Sequence, residues 1–287
     1  MGSDLFKNKL LILDGATGTV LQQRGLPPGG HPELLNLTDP DLIEDVHRTY
    51  IQAGSQVIYT NTFGASRRKL KGTGKTVEEI VSAAVSVARR AAAGTDTLVA
   101  LDVGPLGELL EPMGTLTFED AYDLFREVML AGAQAGVDLV VIETMTDLYE
   151  TKAALLAAKE NTDLPVMVTM SFEPSGRTFT GCTIPSMART LEGLGADAIG
   201  LNCSVGPDLL LPLLKELCEH TRLPVIAKPN AGMPVMDDKG MAHYSMAPDA
   251  FAAAMTRLVD AGAAIVGGCC GTDPEYIRAL SHAVKAR

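Results

Sequence analysis

Eight short apolar or β-branched runs recur along the 287 residues, at 10–15, 55–61, 97–103, 138–144, 165–171, 197–203, 224–230 and 263–269, and helical patterns separate them. The runs are continuous rather than alternating, so both faces of each strand are buried, as in a parallel sheet covered by helices. Ahead of the second, fourth, sixth and eighth runs stand Gly54, Gly136, Gly195 and Gly262. Each is placed where a left-handed residue ends a helix before strand entry. The fifth and seventh runs open instead with "TDLPV" and "TRLPV". Eight strand–helix units with a two-unit rhythm predict an α/β fold, a (β/α)8 TIM barrel. An open doubly wound sheet is the competing arrangement, but no dinucleotide glycine fingerprint follows the first run. No linker, low-complexity tract or charge block interrupts the pattern, which predicts a single domain over residues 1–287. In the last unit, Asp273 is expected to cap a helix that begins at Pro274.

Composition narrows the function. Hydrophobic residues make up 46% of the chain, ample for one large core. No apolar run is long enough to span a membrane, and "MGSDLFKNKLL" lacks the apolar segment of a secretory signal, so a cytoplasmic location is expected. A net charge of −11 argues against a nucleic-acid partner. The five cysteines, an odd number, include no C-x-x-C pair, which argues against a disulfide framework or a zinc ribbon. Cys182 and Cys218 read as small core hydrophobes.

The other three cysteines fall where barrel enzymes place their chemistry, at the C-terminal ends of strands. Those ends read Asp14, Asn61, Asp102, Glu143, Asn202 with Cys203, Asn230, and Cys269 with Cys270. For Asn61 and Asp102 the plain wetness of strand ends suffices. In "IVGGCCGTDP", residues 265–274, adjacent side chains of a regular strand would point to opposite faces, so Cys269 and Cys270 meet only if the backbone leaves regular geometry. The surrounding glycines are expected to permit that. With Cys203 from the sixth strand they supply three soft ligands, the donor set of an open zinc site. Three thiolates make zinc a poor activator of water, and the centre suits a fourth sulfur, that of a substrate thiol ready for S-alkylation. No separate protein nucleophile is then expected. The turn "LDGATGT", residues 13–19, offers backbone N–H groups to a carboxylate, and Glu143 across the barrel suits an ammonium group. Together these point to a thiol α-amino acid.

These motifs identify a resemblance. From "LDGATGT" through "YTNTFGAS", "GPLGELLEPMG", "VVIETMTD", "GLNCSVGP" and "KPNAGMP" to "GGCCGTDPEYI", essentially the whole chain is similar to the homocysteine S-methyltransferases, a family of zinc-dependent barrels. The resemblance implies that Cys203, Cys269 and Cys270 hold Zn2+ and that homocysteine supplies the fourth sulfur. It further implies that Asp14, the Gly15 and Ala16 backbone, Thr17, Thr19 and Glu143 hold the amino acid end. Betaine-using members carry a tyrosine where this sequence reads Phe63-Gly64-Ala65, and the motifs look closer to the members built into cobalamin-dependent methionine synthases. The corrinoid signature D-x-H-x-x-G is not met, since Tyr50 follows Asp45-Val46-His47 at the glycine position. Methylcobalamin on a separate partner protein is therefore the expected donor, unless the sequence belongs to a longer product that carries it. Few aromatics, Phe63, Phe172 and Tyr244, are expected near a rim of mostly short loops, too few for a quaternary ammonium pocket. A small onium donor such as S-methylmethionine or betaine, another thiol as acceptor, and a metal-holding subunit without chemistry are the alternatives. The last is disfavoured by the presence of Asp14 and Glu143.

Overall fold

The structure, a computed structural model, describes residues 5–6, 10–27, 29–236 and 242–285. Its strands are β1 (Leu11–Ile12), β2 (Val57–Tyr59), β3 (Leu98–Val103), β4 (Leu139–Met145), β5 (Val166–Met170), β6 (Ala198–Asn202), β7 (Val225–Lys228), β8 (Pro234–Met236), β9 (Ala242–Tyr244) and β10 (Ala263–Val266). Its helices are α1 (Thr17–Gln23), α2 (Leu35–Thr38), α3 (Pro40–Ala53), α4 (Val77–Ala92), α5 (Phe118–Ala135), α6 (Leu148–Asn161), α7 (Ile184–Gly193), α8 (Pro207–His220), α9 (Pro248–Asp260) and α10 (Pro274–Lys285).

The eight expected runs form one parallel sheet in the order β1-β10-β7-β6-β5-β4-β3-β2. A parallel bridge between Leu13 and Val57 joins its two ends, so the sheet closes into the (β/α)8 barrel. Along the strands, side chains alternate between two cores. Leu11, Val57, Ala100, Val141, Met167, Ala198, Ile226 and Ile265 fill the barrel interior. Ile12, Ile58, Leu101, Val140, Val168 and Leu201 pack outward against the helices. The glycine rhythm is conformational: Gly54, Gly136, Gly195 and Gly262 have φ of 109°, 84°, 86° and 117°. Asp273 accepts a hydrogen bond from the Glu275 N–H at 2.8 Å and caps α10, as expected.

The rim differs from the short-looped one read in the sequence. Long segments follow four strands, at 60–76, 104–117, 171–183 and 229–247, and the last carries the antiparallel β8–β9 hairpin. Apolar residues within them, such as Leu70, Leu106 and Leu110, are buried, so their pattern merges with that of the neighbouring helices. Among the described residues, no helix is long and apolar enough to cross a membrane.

Candidate metal and thiol site

In the sheet only β7 separates β6 from β10, so residues just past those two strands face each other across one strand width. Cys203 and Ser204 adopt φ of 60° and 56°. For non-glycine residues this left-handed backbone costs of order 1–3 kcal/mol each. The turn lets the Cys203 N–H donate to the Lys228 carbonyl at 3.1 Å. On the other side the Cys269 N–H donates to the Pro229 carbonyl at 2.8 Å, and the Cys270 carbonyl accepts from the Ala231 N–H at 2.9 Å. The end of β7 thus carries both cysteine segments. Cys203 Sγ lies 3.9 Å from Cys270 Sγ, and the three sulfurs lie within 4.8 Å of one another. Thiolates around tetrahedral zinc, at Zn–S of about 2.3 Å, would stand about 3.8 Å apart, so this donor set fits the ion. As thiols they are reluctant acids: the hydrogen bond with Cys269, together with burial, pushes Cys203 up to about 12, and that with Cys203 pushes Cys270 up to about 11. Binding a cation here therefore releases protons.

The glycines around Cys269 and Cys270 permit the turn as expected, in two ways. Only Gly271 has a left-handed backbone, with φ of 81°. Gly267 and Gly268 provide room instead, because a Cβ on either would press into Leu13 and Asp14 or into Thr272. The backbone irregularity that re-aims a sulfur sits on Cys203 and Ser204.

Beside the sulfurs lies a cavity of about 260 Å3 whose walls include Cys203, Cys269, Cys270, Glu143, Asp102, Lys228, Tyr59, Phe63 and the turn from Gly15 to Thr19. A wider surface hollow of about 620 Å3 near Arg67 and Lys71 contains none of the expected site residues. Glu143 is in place, 3.4 Å from the Lys228 ammonium. Asn202 fixes the neighbouring strand end: its Oδ1 accepts from the Thr144 N–H at 2.9 Å and its Nδ2 donates to the Thr144 hydroxyl at 2.7 Å. Asp14 stands one layer behind the wall, where its Oδ2 accepts from the Tyr59 N–H at 2.7 Å and its Oδ1 lies 3.9 Å from Lys228 Nζ. Burial pushes the Asp14 carboxyl up to about 7, with Lys228 opposing.

Gly15, Ala16, Thr17 and Thr19 all reach the cavity, yet much of their hydrogen bonding is internal. The Ala16 N–H donates to the Thr272 carbonyl at 2.8 Å, the Thr17 N–H to Gly15 at 3.2 Å, and the Thr19 hydroxyl accepts from the Gly271 N–H at 3.1 Å. Asn61 departs from the wet-strand-end reading, being buried at 7% exposure with its Nδ2 donating to the Pro32 carbonyl at 2.7 Å. Asp102 corrects the wet-strand-end reading: it is 7% exposed, and its Oδ1 has no hydrogen-bond partner. Burial and the nearby Glu143 push its carboxyl well above the usual range. Phe172 is also corrected, since it is buried in the core rather than at the mouth. Cys182 and Cys218 pack against the outer core. The cavity-wall residues missed in the sequence include Tyr59, Glu33, whose Oε1 accepts from the Gly64 N–H at 2.6 Å, and above all Lys228. Its signal was present, because a lysine ending the buried run "PVIAKPN" must find partners.

The chain matches the family model described as homocysteine S-methyltransferase over residues 11–284. It is 35% identical over 297 residues to the methionine synthase of Mycobacterium leprae, covering 96% of this chain and 24% of that protein. The methionine synthase of Mycobacterium tuberculosis is 34% identical over 305 residues, with 98% and 25% covered. The chain thus spans about a quarter of these relatives' length. Among solved structures, the homocysteine methyltransferase MmuM from Escherichia coli superposes in its metallated form with a TM-score of 0.83 at 26% identity over 97% of each chain. The carboxyl transferase domain of Rhizobium etli pyruvate carboxylase, at 16% identity and a TM-score of 0.57, covers 99% of this chain and 48% of that one and shares the fold alone. The three converging sulfurs, the closed barrel and a match over nearly the full chain lead to one assignment: this chain belongs to the homocysteine S-methyltransferase family.

Proposed function

We propose that the barrel methylates the thiol of homocysteine to give methionine, with zinc held by Cys203, Cys269 and Cys270. The observation that carries this reading is the convergence of the three sulfurs beside a cavity that also presents Glu143. Held by these three cysteines, zinc would leave a position for a substrate sulfur and would favour its thiolate near neutral pH. Glu143 takes the substrate ammonium, and Thr144, clamped by Asn202, keeps that carboxylate aligned with the sulfur end. Asp14 acts from behind, holding Tyr59 and Lys228 in position. A bond forms between the homocysteine sulfur and the methyl carbon as the bond from that carbon to the donor breaks, so no protein nucleophile is needed.

For the donor we infer a methyl-corrinoid, delivered by a separate protein or by a further part of a longer chain. Two features support this. The two rings on the cavity wall each already face a lysine, Tyr59 with Lys228 at 4.5 Å and Phe63 with Lys69 at 5.1 Å, a poor setting for a quaternary ammonium, while Tyr244 stands beside Cys270. The loops after β3, β5 and β7 also expose Met113, Phe179, Met233 and Val235, apolar surface suited to a docked protein. A small onium donor such as S-methylmethionine is the second reading; it is compatible with the homocysteine methyltransferase MmuM, whose chain is matched over 97% of its length and so carries little beyond the barrel. Zinc-loaded protein supplied with homocysteine and, in turn, methylcobalamin, S-methylmethionine and betaine decides between them by the methionine formed. Methylcobalamin should support turnover. Equal turnover with S-methylmethionine overturns the donor assignment, and no methionine from any donor overturns the reaction.

A further inference from the structure

Asn202 ends β6 beside Cys203 and is 1% exposed. Its carboxamide reaches two other strand ends. Oδ1 accepts from the Thr144 N–H at 2.9 Å, and Nδ2 donates to the Thr144 hydroxyl at 2.7 Å. Nδ2 also lies 3.9 Å from Cys269 Sγ, on the far side of β7. The amide cannot be turned round without loss, because the Thr144 N–H requires an acceptor. The nitrogen, not the oxygen, therefore faces the sulfur. Thr144 is itself fixed, since it holds φ of 61°, a left-handed backbone that a β-branched residue adopts only under constraint. The Asn202 carbonyl accepts from the Ser171 hydroxyl at 2.9 Å, so the main chain is held from the end of β5 as well.

The two bonds to Thr144 use the amide oxygen and one of the two amide hydrogens. The second hydrogen is buried too, and Cys269 Sγ is the partner printed by the geometry for that nitrogen. A thiol gains little from such a donor, but a thiolate gains much, because hydrogen bonds to charged acceptors are the strong ones. Three thiolates around one dication would leave excess negative charge on the sulfurs, and an N–H aimed at one of them draws part of it away. Cys269 is where a protein donor matters most. It is buried, whereas Cys203 and Cys270 are half-buried and can take such bonds from water. Partners of this kind, one shell beyond the ligands, orient a metal's donors and change its affinity by about tenfold to a hundredfold.

We propose that Asn202 is a positioning residue of the metal centre, whose amide N–H holds the Cys269 sulfur in place and shares its thiolate charge once a cation is bound; this rests on the zinc reading above. The test uses two measurements on wild type, Asn202→Leu and Ser171→Ala. Zinc affinity is read by competition with a chelator, and the thiolate-to-metal charge-transfer band is read after loading with cobalt(II). Asn202→Leu should lower zinc affinity by about tenfold to a hundredfold. Its cobalt band should move to longer wavelength, because a sulfur without its donor gives up electrons more readily. Ser171→Ala loosens the same strand end without touching the carboxamide and should leave affinity and band as in wild type. Should Asn202→Leu not fold, Asn202→Ala is read in its place. Lower affinity with an unmoved band overturns the proposal and reduces Asn202 to a clamp on Thr144. Unchanged affinity in the Asn202 variant, or an equal loss in Ser171→Ala, overturns it too while leaving the zinc reading intact. Wild type that binds neither zinc nor cobalt(II) overturns the zinc reading itself.

Discussion

The two sides of the cavity solve the same electrostatic problem in opposite ways. On one side, Cys203, Cys269 and Cys270 gather three groups of one kind within 4.8 Å, an arrangement that a cation from outside the chain would complete. On the other, the carboxylates of Asp14 and Glu143 are balanced from within, because Lys228 projects between them. On the proposed zinc reading one side depends on metal supply, while the other is preorganised as soon as the barrel closes. The strand between them is β7: its last residue holds Cys203 through its carbonyl and the carboxylates through its ammonium.

The largest effects should come from breaking the sulfur side. Cys203→Ala, Cys269→Ala and Cys270→Ala should each lower zinc from about one per chain to a small fraction and abolish methionine formation, as expected of a three-ligand open site. Full zinc retention in any one variant removes that residue from the set. Breaking the carboxylate side should instead cost stability. Lys228→Met leaves Asp14 and Glu143 facing each other in a buried site and should destabilise the fold by about 3–5 kcal/mol in urea denaturation. The double variant Lys228→Met/Glu143→Gln should recover part of that loss; a double variant less stable than the single would contradict internal balancing.

Glu143→Gln should separate the two sides cleanly. Homocysteine affinity should fall by about tenfold to a hundredfold, the equivalent of about 1.5–3 kcal/mol, while zinc content stays intact. Zinc loss in this variant would show that the sides are not independent. The smallest effect is a pH dependence. Asp14 in the folded protein titrates at about 7, above its ordinary 3.8. Its raised value means the folded state holds a proton that the unfolded chain releases. The resulting stabilisation is complete below about 3.8 and is lost as pH rises through about 7. With zinc in excess, the decline in stability across that window should be shallower in Asp14→Asn than in wild type, and an equal slope would remove Asp14 as its source.

The same contrast governs what was legible in the sequence. The barrel was readable because burial on both strand faces leaves continuous apolar runs, and Gly54, Gly136, Gly195 and Gly262 mark the helix ends with the left-handed backbone they in fact adopt. The sulfur side was readable because cysteines at strand ends are few and alike. The turn at Cys269 and Cys270 was legible in its glycines, whereas the left-handed Cys203 leaves no trace in residue type. The carboxylate side was only half readable. Glu143 stood out at a strand end, but the role of Lys228 depends on partners more than eighty residues away along the chain. Asp102 looked like an ordinary wet strand end because neighbours from β4 and β7, not its own sequence, bury it. The rim loops were read as short because their buried apolar residues continue the helical pattern.

The central claim is that homocysteine joins the three cysteines through its sulfur. Zinc X-ray absorption on the loaded protein, with and without homocysteine, tests it most directly. The account predicts three sulfur neighbours rising to four on addition of homocysteine, and no rise with methionine at equal concentration. A sulfur count that stays at three with homocysteine bound would contradict it.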